Sequence, residues 1–400
     1  MKILHTADWH IGQCFYEYDR QEEHRYFFDW LKQQIGHLAV DALLIAGDIF
    51  DSQNPSADSQ KMFYRFLKEV TAAYPALQII VIAGNHDSAG RLEAPNPLLE
   101  EMHITVRGLV GRNAAGEIDF DRFVVPLVQD NVVKAWCLAV PYLRQGDYPE
   151  TVNHAQGVGN FYAAVYDRIP DKSKPVIAMG HLHATGAELS VNDRSERVIL
   201  GGLESIPTDI FAQGVAYTAL GHLHRAQNIG GSGKIGYAGA PLPMSFAEKH
   251  NKHGITLVTT GESSSEVQTE RILFDAPVKL LSVPREPQPL QEVLAAIREL
   301  PDGEITGQSP FLEINVLLNA PEPSLRHRIE DALSGKSVRL ARIAAEYPQN
   351  TSAHKAYNYE EFQSLQPLNL AIDVYRRQYD EEMPNELKKL LTDLISNLER

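Results

Sequence analysis

Five short polar segments each follow a short apolar run, and this arrangement restricts the fold of the 400-residue chain more than any other feature. Apolar runs of this length are typical of buried strands, and open α/β sheets place their active sites at the carboxyl ends of such strands. We therefore expect the polar segments to meet at one edge of one sheet. The segments are Asp8-Trp9-His10, Gly47-Asp48, Gly84-Asn85-His86-Asp87, Gly180-His181 and Gly221-His222-Leu223-His224, and the preceding runs are Lys2–Thr6, Ala42–Ala46, Gln78–Ala83, Pro175–Met179 and Tyr217–Leu220.

The side chains in these segments offer carboxylates, imidazoles and one amide oxygen, and no thiolate. Such donors suit divalent ions such as manganese, iron or zinc. There are too many donors for one ion, so the pattern predicts two divalent ions bridged by a shared carboxylate, a known clamp for phosphate esters. Asp48 follows a glycine and is the expected bridge. The predicted ligands are Asp8, His10, Asp48, Asn85, His181, His222 and His224.

Two further residues are predicted to take part in the chemistry. His86 directly follows Asn85, so in an extended loop its side chain points away from that ligand. We expect His86 to donate a proton or to contact the phosphate. Asp51 lies three residues after Asp48. We expect its carboxylate to orient the His86 imidazole.

The order of elements predicts a layered α/β domain, a small α+β domain and helices at the C-terminus. Strands alternate with helical patterns at Glu22–Gln34 and Ser56–Tyr74, which is typical of α/β domains. The proline-rich stretch Val283–Pro289 indicates a domain edge nearby. We therefore assign residues 1–275 to a di-metal domain, 276–345 to a small capping domain and 346–400 to a helical tail.

The tail is predicted to contain two helices, Leu368–Gln378 and Glu386–Leu398. The second carries an apolar stripe from Leu387 to Leu398 at helical spacing. A stripe of this kind does not show whose surface it covers. It fits a helix packed on its own domain and a helix docked on a partner equally well.

The composition restricts the compartment and the partners. The net charge is −15, which argues against a free-standing DNA binder. If the substrate is nucleic acid, metals or a partner must supply positive charge. The two cysteines form no Cys-x-x-Cys pattern, no stretch is apolar enough to span a bilayer, and the chain starts directly with a strand. We therefore expect a cytoplasmic protein without a signal peptide.

Longer stretches around these motifs resemble the calcineurin-like metallophosphoesterase superfamily, and in particular its bacterial nuclease subunits. The resemblance runs through most of residues 1–260, and the order of domains continues it. The stretches that carry it are Leu4–Gly12, Ala46–Asp51, Ala83–Ser88, Pro141–Arg144, Ala219–Gln227 and Gly239–Pro243 with Ser245-Phe246.

The resemblance implies a manganese-dependent nuclease in DNA repair and recombination that acts on DNA ends and hairpins. Its implied activities are 3′–5′ exonuclease on double strands and endonuclease on single strands and hairpins. It also implies a homodimer within a heterotetramer, paired with a coiled-coil ATPase of the ABC class. One implied ion takes Asp8, His10, Asp48 and His224; the other takes Asp48, Asn85, His181 and His222, with His86 as the catalytic histidine.

Several alternatives remain open. His183 forms a second His-x-His pair with His181; we expect His181 to bind metal and His183 to line the cleft. Arg144 and Arg225 are candidates for DNA contacts, although an arginine near a cleft often pairs with a local carboxylate. A cyclic-nucleotide or other small-molecule phosphodiesterase would use the same metals. A non-catalytic scaffold for the ATPase is the alternative from another class.

Overall fold

The computed structural model describes residues 1–188, 205–211, 214–231, 233–261 and 266–347, and in the tail residues 372, 375, 382–384 and 387–391. The contacts divide the chain into two units, Met1–Glu346 and Tyr347–Arg400. Among the described residues, no helix has the length and apolar character that crossing a membrane requires.

The first sheet contains the amino-terminal strand at its centre. Its strands, numbered along the chain, are β1 (Lys2–Thr6), β4 (Ala42–Ala46), β5 (Gln78–Ile82), β6 (Ile104–Arg107), β13 (Gly254–Thr260) and β14 (Val267–Leu273). Their order is β14-β13-β1-β4-β5-β6. The strands β1, β4, β5 and β6 are parallel, whereas β13 pairs antiparallel with β1 and with β14.

The second sheet is built from the middle of the chain. Its strands are β7 (Val124–Gln129), β8 (Val132–Ala139), β9 (Val176–His181), β10 (Val215–Gly221), β11 (Gln227–Ile229) and β12 (Ile235–Tyr237). Their order is β11-β12-β10-β9-β8-β7. The short strands β2 (Cys14–Phe15) and β3 (Tyr18–Asp19) form a separate hairpin.

The two sheets pack face to face, and helices cover their outer faces. Side chains alternate along β1, where Ile3 lies between the sheets and Leu4 lies under the helices. Both faces are therefore buried, which explains why the central strands are mainly apolar. The helices are α1 (Gln21–Leu38), α2 (Ala57–Ala73), α3 (Ala89–Glu93), α4 (Asn96–Leu99) and α5 (His154–Asp167).

The predicted layered α/β class is confirmed, but the expectation of one sheet is wrong. β1, β4 and β5 lie in the first sheet, whereas β9 and β10 lie in the second. A buried apolar run does not reveal which strands it pairs with, so the sequence pattern could not separate the two sheets. Because the facing strands end at the same side, the five polar segments still meet.

The residues after 275 form a three-stranded parallel sheet with two crossover helices, within the same unit as the first two sheets. Its elements are β15 (Leu280–Pro289), α6 (Leu290–Arg298), β16 (Phe311–Leu317), α7 (Leu325–Ala332) and β17 (Arg339–Glu346). This sheet has its own apolar core, and Phe311 packs against Phe15 and Phe246 from earlier in the chain. The proline-rich stretch lies inside β15, at the edge of this sheet, where the register shifts between Val283 and Gln288. Proline has no N–H to donate to a neighbouring strand, so within sheets it is tolerated mainly at edges and irregularities, where that hydrogen bond is not needed.

The tail is described at a few positions. Residues 387–391 are helical, and the N–H groups of Leu387 and Lys388 donate to the carbonyl of Pro384. This agrees with the predicted start of the last helix. The remainder of that helix and nearly all of the predicted helix Leu368–Gln378 lie outside the described residues.

Candidate metal centre

The loops after β1 and β4 are held together by backbone hydrogen bonds. The N–H of Asp8 donates to the carbonyl of Gly47, and the N–H of His10 donates to the carbonyl of Asp48, each at 3.0 Å. The first three predicted ligands are therefore fixed relative to one another by the main chain.

Each buried carboxylate uses one oxygen to accept from a backbone N–H and turns the other toward the cluster. Asp48 Oδ1 accepts from the N–H of His86, and Asp8 Oδ1 accepts from the N–H of His222, both at 2.9 Å. Asp48 Oδ2 lies 3.7 Å from His10 Nε2 and 3.2 Å from His181 Nε2. This oxygen therefore stands between two imidazoles, which is the position expected of a bridging carboxylate.

Outer hydrogen bonds decide which nitrogen of each imidazole faces the centre. The Nδ1 atoms lie near oxygen acceptors: the Ala46 carbonyl for His181 at 2.9 Å, and the Glu248 carboxylate for His224 at 3.2 Å. Such partners fix the tautomer and leave Nε2 for a metal. His222 differs, because its Nδ1 lies 3.1 Å from Asn85 Oδ1.

The predicted ligands gather into one cluster. Asn85 Oδ1 lies 2.9 Å from His181 Nε2, and the rings of His10 and His224 lie 5.0 Å apart. Candidate ligand atoms lie within 4.8 Å of one another in three groups, two of which share Asp48. Those two are Asp8, His10 and Asp48, and Asp48, His181 and His222; the third is His10, Asp51 and His86. The groups that share Asp48 are those expected to hold metal.

Two buried atoms of the cluster lack a partner among the described residues. They are Asp8 Oδ2 and His10 Nε2. Leaving a buried polar group unpaired costs about 1–3 kcal/mol. A divalent cation held by carboxylate and imidazole donors satisfies both atoms, so the residues present fit such an ion.

The local charges favour a cation as well. Burial opposes ionisation of Asp48, but the nearby imidazoles of His181 and His10 hold its pKa below its usual range. Burial also opposes protonation of His181, yet Asp48 raises its pKa to about 9. Burial and the neighbouring His181 lower the pKa of His222 to about 3. Without metal, a proton on His181 would balance the Asp48 carboxylate, and a bound cation would replace that proton.

The backbone at the ligands is unusual. Asp8, His10, Asp48 and His222 all have positive φ, at 55°, 46°, 49° and 106°. Residues other than glycine rarely adopt this conformation, and when they do they cluster at functional sites. The adjacent Gly84 is required by space, because a Cβ there would lie 2.1 Å from Asp48 Oδ1.

The structure changes the interpretation of Asp51. Its carboxylate was expected to orient His86, but it lies 3.2 Å from Nδ1 of His10. His86 Nδ1 instead lies 2.9 Å from the backbone carbonyl of Asp51. A carbonyl can only accept, so Nδ1 of His86 carries the hydrogen and Nε2 is the nitrogen left for substrate. Spacing alone could not tell the main-chain oxygen from the side-chain oxygens of the same residue.

Two supporting residues were missed from the sequence. Glu248 is fully buried; besides contacting His224, it accepts from the N–H of Met244. Asp87 accepts from the N–H groups of Gly84, Ile49 and Phe50 and so ties two ligand loops together. Burial and the charge of Asp48 raise the pKa of Asp87 to about 6. Asp87 ends one of the five polar segments and could have been singled out, whereas nothing in the spacing signals Glu248.

We expect Glu248→Gln to weaken manganese binding about 10–100-fold, because outer partners orient a ligating imidazole and make it more basic. Isothermal titration calorimetry with Mn²⁺ measures the change. Glu270→Gln, on an exposed position of β14, is the matched control. Equal affinity in a folded Glu248→Gln protein would contradict the assignment.

The three candidate DNA contacts have different surroundings. Arg225 Nη1 forms an exposed ion pair with Glu188 at 2.8 Å. The Arg144 guanidinium lies over the Tyr142 ring, 5.8 Å from its centroid. His183 is half-buried, and within the described part of the chain its Nε2 has no hydrogen-bond partner. Arg225 is therefore paired with a local carboxylate, whereas Arg144 and His183 remain candidates for contacts with DNA.

Comparison with known proteins agrees with this fold. The sequence profile of the calcineurin-like phosphoesterases matches residues 1–226. The chain therefore belongs to the calcineurin-like phosphoesterase family. A second profile, the type 5 capsule protein repressor C-terminal domain of SbcD proteins, matches residues 277–379.

The curated relatives specify the branch of the family. The SbcD subunit of the SbcCD nuclease of Rhodobacter capsulatus is 37% identical over 365 residues, which cover 87% of this chain and 88% of that protein. The same subunit from Escherichia coli K12 is 32% identical over 66% of each chain. That of Bacillus subtilis is 30% identical over 64% of this chain and 66% of its own length. The resemblance to SbcD proteins is therefore confirmed.

Proposed function

We propose that this chain is a DNA nuclease that hydrolyses phosphodiesters with two divalent ions, of which manganese is the expected one. The position of Asp48 Oδ2 between His10 Nε2 and His181 Nε2 carries this proposal, at 3.7 Å and 3.2 Å. One proposed ion takes Asp8, His10, Asp48 and His224, and the other takes Asp48, Asn85, His181 and His222.

When bound, such ions polarise the phosphoryl group and provide a hydroxide nucleophile. The chain's own residues hold the donors in place and supply a proton. The Asp51 carbonyl fixes the His86 ring through Nδ1, so a protonated His86 presents Nε2–H to the leaving oxygen. His86 is half-exposed at the edge of the cluster, where a substrate can reach it.

DNA is favoured over a small phosphodiester by the curated relatives and by the domain at 276–345. The relatives are named as nucleases, and a single-domain phosphodiesterase needs no such addition. The proposed activities are exonuclease on double-stranded ends, with 3′–5′ polarity, and endonuclease on single strands and hairpins. The division into nuclease domain, capping domain and tail remains part of the proposal.

The deciding experiment offers the purified chain a fluorescent DNA hairpin and, in parallel, cyclic AMP, each with and without Mn²⁺. We expect manganese-dependent cleavage of the hairpin and none of cyclic AMP. The opposite preference would support the small-molecule phosphodiesterase. Inactivity on both substrates would support the scaffold alternative, although every predicted ligand of the cluster is present.

The proposed partner is a coiled-coil ATPase like SbcC, with two nuclease chains in a cytoplasmic heterotetramer. The relatives are named as one subunit of a nuclease called SbcCD. This chain has a net charge of −15, so a partner would contribute much of the positive charge that holds DNA.

We expect that deleting the residues after about 350 leaves manganese-dependent cleavage of single-stranded DNA but weakens binding to the ATPase. The reason is the apolar stripe that begins at Leu387. Co-purification and biolayer interferometry with the ATPase measure the loss. Tight binding by the truncated chain would reject the prediction, and a lowered melting temperature would indicate that the stripe covers the chain's own core.

We also expect a homodimer through the region of α2 and the segment before Met102. The apolar stripe of α2 packs on the first sheet, so it does not itself supply the interface. Leu98, in α4, is 76% exposed and is the best apolar contact in this region. Leu98→Glu should therefore shift the mass in light scattering from dimer to monomer while manganese content is retained. A monomeric wild-type protein at micromolar concentration would overturn the expectation.

A further inference from the structure

The segment Pro141–Arg144 follows β8 and is not used by the metal centre. The N–H of Tyr142 donates to the carbonyl of Ala83 at 2.9 Å. Ala83 directly precedes the loop that carries Asn85 and His86. This hydrogen bond fixes the main chain of Tyr142, which follows a strand of the second sheet. It holds Tyr142 beside the loop of the first sheet that carries His86.

The Tyr142 side chain lies against a predicted ligand but remains half-exposed. Its ring centroid is 6.2 Å from that of His181, with the two planes at 78°. No hydrogen bond of the Tyr142 hydroxyl occurs within the described residues. A fixed aromatic ring with a free hydroxyl is suited to stack on a base or contact a sugar.

Arg144 adds a positive charge to the same rim. Its guanidinium lies over the Tyr142 ring and is exposed, and no ion pair of this group is found in the described part of the chain. The backbone N–H of Arg144 donates to Asp147 Oδ2 at 2.7 Å, and the N–H of Asp147 donates back to the Arg144 carbonyl. The turn holds the main chain of Arg144 while its cation stays free. In an acidic protein, an unpaired cation beside a phosphoesterase centre is placed for a second phosphate.

We propose that Tyr142 and Arg144 form a nucleotide rim, which holds the DNA strand next to the scissile phosphate. Tyr142 contacts the adjoining nucleoside, and Arg144 contacts the neighbouring phosphate. Both act as positioning residues, because neither is a predicted metal ligand. The inference rests on the proposed nuclease function and specifies which part of the chain recognises a polynucleotide rather than a single phosphodiester.

The test compares two substrates that differ in length. A single-stranded oligonucleotide spans the centre and the rim, whereas bis(p-nitrophenyl) phosphate lacks a neighbouring phosphate. We expect Tyr142→Ala and Arg144→Ala to lower kcat/KM on the oligonucleotide on the order of tenfold or more. With bis(p-nitrophenyl) phosphate, kcat/KM should stay within about twofold of the wild type, as should manganese content.

Arg144→Ala has a second, independent signature. Losing one phosphate contact to a single strand should reduce the slope of log affinity against log salt by about 0.7. Arg168→Ala removes an exposed arginine at the far end of α5 and is the matched control. Arg144→Lys keeps the charge and should restore most of the salt dependence.

The outcomes are distinct. Equal losses on both substrates, or loss of manganese, would show that the pair merely supports His181, and would overturn the proposal. Unchanged cleavage of the oligonucleotide by both variants would also overturn it. If the wild-type chain hydrolyses bis(p-nitrophenyl) phosphate but no DNA, the nuclease function itself fails, independently of the rim.

Discussion

Asp48→Ala should lose manganese and nearly all hydrolysis. The substitution removes the single oxygen that stands between His10 and His181. Both proposed ion positions would lose a ligand at once, so the loss in rate is expected to be on the order of 10³-fold or more, equivalent to several kcal/mol of transition-state stabilisation. Elemental analysis after gel filtration measures the ions, and hairpin cleavage measures the rate.

The control must separate loss of a ligand from loss of the fold. Asp48→Asn keeps the shape and an oxygen that can accept from the N–H of His86, so its melting temperature without metal should show whether the loop survives. Asp167→Asn, an exposed position at the end of α5, should change neither measurement. Two tightly bound ions in Asp48→Ala would refute the ligand assignment.

His86→Gln should keep both ions and bind DNA, yet cut it about 10²–10⁴-fold more slowly, the usual contribution of a general acid. The reason is the tethering of Nδ1 to the Asp51 carbonyl, which leaves Nε2 as the donor to the leaving oxygen. Single-turnover cleavage at saturating Mn²⁺ isolates this step from binding.

Asp51→Asn provides the contrast. The Asp51 carboxylate contacts Nδ1 of His10, a predicted ligand, whereas the backbone carbonyl of Asp51 accepts from Nδ1 of His86. The substitution should therefore weaken manganese binding and leave the rate at saturating metal largely intact. Wild-type cleavage by His86→Gln with manganese saturating, or loss of metal from that variant, would contradict the proton-donor role.

The strands and the helices near the centre were largely predictable from local pattern. β1 and β4 have the predicted bounds. β4 is an unbroken apolar run, as expected of a strand buried on both faces, and β1 is buried from Ile3 to Thr6 although it contains His5 and Thr6. The predicted ligands follow the ends of such runs, so the change from apolar to polar residues indicates where they lie. The clustering of Asp8, His10, Asp48, His181 and His222 depends on the strands' shared direction, which the pattern also implied.

Features that depend on long-range partners were not predictable. Assignment to two sheets depends on pairing, which a buried strand's sequence does not encode by itself. Glu248 contacts His224 from a separate turn 24 residues later, and its spacing matches no motif. The carboxylate of Asp51 and its carbonyl have different partners, a distinction set by loop geometry rather than by residue type.

The pairing of β1 with β13 has a consequence for synthesis of the protein. Lys2 lies opposite Thr259, so the first strand to leave the ribosome waits for one of the last strands of its sheet. The centre also needs His222 and His224 from the other sheet. Chains fold as they emerge, amino-terminal parts first, but here no nascent fragment shorter than about residue 260 can hold the full ligand set in a completed sheet. A chain interrupted before β13 would therefore lack a neighbour of β1, the strand that leads into Asp8 and His10 of the proposed metal centre.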